Sequence, residues 1–130
     1  MDLKYFEHVA RRGYFRPVAV LTFPQAVAMV AEAMRYARSI DLNELLVNTN
    51  GLTGFASPDV FARYEMVAQW VPSAGAALKV AMVVRPEIMD PQKIGVVMAQ
   101  NRGVAAEVFT NESAALAWLD AIPSAASTRP

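Results

Sequence analysis

The chain has 130 residues, 55% of them hydrophobic, with twelve basic and twelve acidic side chains and no cysteine. That length makes one domain around one core, and the balanced charge excludes the basic excess with which nucleic-acid binders neutralise phosphates. Without thiols there are no disulfides and no thiolate metal sites, which accords with a reducing cytosol.

So high an apolar share on a short chain predicts a thick core, a greasy interface, or both. Charges and His8 interrupt the N-terminal stretch where a signal peptide needs an apolar run. No run approaches the roughly 18 apolar residues of a spanning helix. The expectation is a cytoplasmic protein with no transmembrane segment, peripheral membrane contact being left open.

Tyr5 to Val9 and Phe15 to Val20 read as short strands joined by a hairpin turn at Arg11-Arg12-Gly13, with Pro17 marking an edge. Thr22-Phe23-Pro24-Gln25 has the form of a capping box with proline in the first turn. The apolar stripe Val27, Val30, Ala31, Met34 and Ala37 continues it as a helix. Leu45 to Asn48 is a strand, and Pro58 to Val71 a helix capped by Ser57 and stopped by Pro72. Lys79 to Arg85 is a strand whose Val80 to Val84 run predicts burial on both faces. Asp90-Pro91 opens a helix through Asn101, which Gly103 closes. Glu107 to Phe109 is the last strand, and Thr110 caps a final helix that ends at Pro123. Strand alternating with helix predicts one α/β domain over residues 1–122: a mostly parallel sheet of four or five strands, an N-terminal antiparallel hairpin, and helices on both faces. Residues 123–130 read as a disordered tail.

Taken together, Leu45-Leu46-Val47, Gly51-Leu52-Thr53-Gly54-Phe55, Pro58, Arg63-Tyr64-Glu65, Val80-Ala81-Met82-Val83, Arg85-Pro86-Glu87, Asn101-Arg102-Gly103, Val108-Phe109 and Ala117-Trp118-Leu119 make the chain resemble the SpoIIAA-like branch of the STAS superfamily. The resemblance runs from Phe15 to Leu119. It implies a small sheet flanked by helices and a non-enzymatic binding role. Members that antagonise anti-sigma factors carry an Asp-Ser-Ser-Gly-type phosphorylation site at the start of the helix after the third strand; this chain has Thr53-Gly54-Phe55-Ala56-Ser57 there. The branch has also been likened to CRAL/TRIO lipid-binding domains, which implies a hydrophobic ligand or membrane contact.

The individual residues set the alternatives. Gly51-x-x-Gly54 lacks the third glycine of a dinucleotide fingerprint and the lysine of a P-loop, so it reads as a tight turn that packs Phe55 inward. Ser57 reads as a helix cap, with phosphoacceptor as its alternative, shared with Thr49 and Thr53. His8, the one histidine, builds neither a metal site nor a triad and belongs on the surface. Arg63 pairs with Asp59 four residues earlier, or else anchors an anion at a cleft rim. Glu65, Glu87 and Asp90 with Arg63, Arg85 and Tyr64 supply no nucleophile with a base, so no catalytic residue, metal or cofactor is expected.

The helix from Pro58 carries two apolar faces: Phe61, Tyr64, Ala68 and Val71 on one, Ala62, Met66 and Trp70 on the other. The helix from Pro91 carries Ile94, Val97 and Met98, with Gly95 for close approach. The leading expectation is a small apolar or lipid-like ligand between these helices, bound by Phe55, Phe61, Arg63, Met66, Trp70, Ile94 and Met98. The competing expectation is a STAS-like protein-interaction regulator acting through Thr49, Thr53 and Ser57. A homodimer is also expected, joined by the outer face of the Trp70 helix or by the sheet edge near Phe15.

Overall fold

The computed structural model describes residues 3–121. Along them run β1 (Phe6–Val9), β2 (Arg12–Phe15), β3 (Ala19–Val20), α1 (Phe23–Ser39), β4 (Glu44–Asn48), β5 (Leu52–Thr53), α2 (Val60–Ala74), β6 (Lys79–Val83), α3 (Ile94–Asn101), β7 (Ala105–Phe109) and α4 (Glu112–Asp120). Five strands form one sheet in the order β1-β2-β4-β6-β7. The β1–β2 hairpin is antiparallel and every later pairing is parallel. This is the mixed α/β sheet that the alternation of patterns predicts.

Successive strand side chains point to opposite faces, which explains the continuous apolar runs. Leu45, Val47, Val80 and Met82 join the larger core with α1 and the end of α2, whereas Leu46, Ala81 and Val83 meet Ala115 and Leu119 of α4. Leu45, Leu46 and Val47 are all at 0% exposure, so both faces of β4 are covered. The last strand, β7, is half-buried because it lies at the sheet edge. Ion pairs tie α4 to the sheet: Arg12 reaches Glu44 and Asp120, and Arg16 reaches Glu112, which also accepts from Asn48. The Arg16 hydrogen bond, opposed by burial and aided by Asn48, holds the Glu112 carboxyl below its usual range.

The capping box at Thr22 and Gln25 forms as the sequence predicts. Several boundaries differ. The hairpin turns at Ala10-Arg11, with Ala10 at φ 54, one residue ahead of the expected turn. Gly13 lies within β2, where a Cβ would stand 2.6 Å from the Phe6 ring; it serves close packing and not turn geometry. The second strand is Arg12–Phe15, ending where the expected Phe15 to Val20 run begins, and Ala19–Val20 pairs in parallel with β5 outside the main sheet. Phe15 lies between β1 and β4 and is 1% exposed, so there is no sheet edge at Phe15 to carry a dimer contact.

Asp59, and not Ser57, caps α2, accepting from the Ala62 amide at 2.8 Å. Asn111, and not Thr110, caps α4 in the same way. In both places two cap-competent residues lie close together, and the chain direction selects the later one. Pro72 does not stop α2, which continues to Ala74. Arg38 donates to the carbonyls of Pro72 and Ser73, satisfying end groups that the helix itself leaves unpaired. Helix α3 starts at Ile94, later than Pro91, because Lys93 takes a left-handed conformation ahead of it. The segment read as a tail, 123–130, lies outside the described residues.

Candidate functional site

On the face of the sheet opposite α4, the three other helices leave a cavity of about 130 Å³. Its floor is Val80 and Met82 of β6 with Ala106 and Val108 of β7; its walls are Val27 and Val30 of α1, Met66, Val67 and Trp70 of α2, and Ala99 of α3. Trp70 fixes α2 against α1, its indole N–H donating to the Val27 carbonyl at 2.9 Å. Phe55 and Phe23 close one end edge to face, their centroids 5.6 Å apart. Gly95 lets α3 approach Met66 closely: a Cβ there would stand 3.1 Å from Met66 Cε.

The loop after β4 is held tightly and not free. A Cβ on Gly51 would stand 2.6 Å from the Pro17 carbonyl oxygen, and one on Gly54, at φ 105, 2.5 Å from that of Leu21. The two glycines let β5 lie against the 17–21 segment, which turns Phe55 toward the cavity. Thr49 donates both its amide and its hydroxyl to the Val83 carbonyl, each at 2.9 Å.

Four charged residues line the cavity: Arg63, Asp90, Lys93 and Glu107. Lys93 stands 3.4 Å from Glu107. Asp90 accepts from backbone amides at the start of α3, 2.7 Å from Ile94 N and 3.4 Å from Gln92 N. Arg63 does not pair with Asp59; it donates to the Pro58 carbonyl, the Ser57 hydroxyl and the Ile88 carbonyl. Among the described residues no buried side-chain nitrogen or oxygen lacks a partner. Apart from these four residues and Thr49 the lining is apolar, and apolar spaces favour apolar occupants over water.

Of the ligand-binding residues expected from sequence, Phe55, Arg63, Met66 and Trp70 line this cavity. Phe61 does not: it points outward, 68% exposed. Ile94 and Met98 are half-buried elsewhere on α3. The inner face of α2 is Arg63, Met66, Val67, Trp70, Val71 and Ala74, while Val60, Phe61 and Tyr64 face solvent, with Arg102 over the Tyr64 ring. The α1 wall, Val27 and Val30, is a helical stripe that reads equally well as plain core. In the 49–57 segment, expected from sequence to be regulatory, Thr53 and Ser57 are exposed. His8 is exposed on β1. Among the described residues no cluster of His, Asp or Glu is placed to hold a metal ion, and no helix is long and apolar enough to cross a membrane.

No protein-family model and no curated protein matches the chain. Among solved structures it is similar to the anti-sigma factor antagonist SpoIIAA in its unphosphorylated form, at 16% identity and a TM-score of 0.41, over 90% of this chain and 97% of that one.

Proposed function

We propose that the chain is a non-enzymatic binding domain that takes a small apolar ligand into the cavity beneath α2. The observation that carries this reading is the cavity itself: mostly apolar walls from three helices and the sheet, among them the flexible Met66 side chain that can adapt to an occupant. Its volume is close to the roughly 150 Å³ of an engineered apolar cavity that binds benzene. The occupant is therefore small, about six carbons, and not a long-chain lipid. Burying on the order of 150 Å² of apolar surface at about 25 cal/mol per Å² gives roughly 4 kcal/mol before the cost of immobilising the ligand, so affinity for an uncharged ligand is about millimolar at best.

The test is titration with 1-hexanol in a Trp118→Phe background, so that Trp70 alone reports. The expected result is a shift in emission and a raised thermal midpoint, both abolished by Gly95→Leu, whose side chain fills the space. Unchanged emission and midpoint at saturating probe sink the reading.

A second reading is a protein-interaction module acting through the 49–57 segment and the outer face of α2. Val60, Phe61 and Tyr64 there are 60%, 68% and 47% exposed, and Thr53 and Ser57 of the segment are exposed as well. It is the reading in keeping with the similar solved structure, an anti-sigma factor antagonist. A second copy of this chain is the partner to examine first. Sedimentation at high concentration should show a wild-type dimer that Phe61→Asp converts to monomer; a monomer for both proteins removes the homodimer.

A further inference from the structure

We propose that Arg63 selects a short-chain carboxylate as the ligand of this cavity; the inference rests on the cavity reading above and adds the headgroup. Arg63 is half-buried in the lining and its three hydrogen-bond acceptors are all neutral: the Pro58 carbonyl at 3.2 Å, and the Ser57 hydroxyl and Ile88 carbonyl at 3.0 Å each. No carboxylate of the described residues comes within 4 Å of its guanidinium. The other lining charges are engaged: Lys93 with Glu107, and Asp90 with the amides of Ile94 and Gln92. Nη1 makes no hydrogen bond within the described residues. A cation with neutral partners and donors to spare, at an apolar space, is complementary to an anion whose tail fills that space, and a guanidinium matches a carboxylate in shape and charge. Size limits the tail to about six carbons.

The experiment compares hexanoate with 1-hexanol at pH 7 on the full chain, wild type against Arg63→Met and Arg63→Lys, reading Trp70 emission and thermal midpoint in the Trp118→Phe background. The expected result is hexanoate binding about tenfold tighter than 1-hexanol to wild type, a preference erased in Arg63→Met, partly restored in Arg63→Lys, and weakened by salt. Binding of 1-hexanol to Arg63→Met shows that the variant keeps a folded cavity. Equal affinities in wild type, or a preference that survives Arg63→Met, overturn the carboxylate assignment and leave the cavity reading standing. Binding of neither ligand overturns both.

Discussion

Trp70→Ala is expected to lower the free energy of unfolding by about 3 kcal/mol. Truncating a packed tryptophan costs roughly 3 to 5 kcal/mol when the site cannot collapse, and the lower end applies because Trp70 is half-buried. The indole also joins α2 to α1 by donating to the Val27 carbonyl at 2.9 Å. Trp70→Phe keeps most of the packing and loses that bond, so about 1 kcal/mol is expected. Urea unfolding measures both. A loss below about 1 kcal/mol for Trp70→Ala would mean that α2 does not depend on this contact, and the roof of the cavity would need another support.

Gly54→Ala is expected to cost about 2 to 3 kcal/mol, since it adds a steric clash to backbone strain. At φ 105 an L side chain is strained, and the new Cβ would stand 2.5 Å from the Leu21 carbonyl oxygen and 2.9 Å from its nitrogen. Backbone atoms cannot swing aside as a side-chain end can. Gly103 supplies the comparison: its φ is 89, but nothing lies within 4 Å of an added Cβ. Gly103→Ala should therefore cost about 1 kcal/mol, the strain alone. The difference between the two variants isolates the close approach of β5 to the 17–21 segment. Equal losses in urea unfolding would show that this approach is loose and that Phe55 is held by something else.

The parallel core of the fold was legible because burial on both faces writes itself as unbroken apolar runs, as at Leu45 to Val47 and Val80 to Val83. The capping box at Thr22 was legible because its chemistry is local. Strands β3 and β5 were not, since two-residue pairings leave no periodicity to read. The starts of α2 and α4 were displaced for a related reason: Ser57 and Asp59, or Thr110 and Asn111, are each able to cap, and only the path of the chain decides. For the site, an apolar helix face does not declare which way it points. Phe61 and Met66 are both apolar in sequence, and packing against α1 and the sheet turns Met66 inward and leaves Phe61 in solvent. Arg63 had a plausible partner four residues away in Asp59, but Asp59 is taken by the helix cap, which leaves the guanidinium to Ser57, Pro58 and Ile88.

The central claim is that the space beneath α2 receives a ligand, and methyl-resolved NMR of the full chain with hexanoate tests it most directly. The account predicts intermolecular nuclear Overhauser contacts from the ligand tail to the methyls of Met66, Val67, Val80 and Ala99, which converge only inside the cavity. Contacts confined to Val60 and Val97 on the outer surface, or no contact and no shift at millimolar ligand, would contradict it.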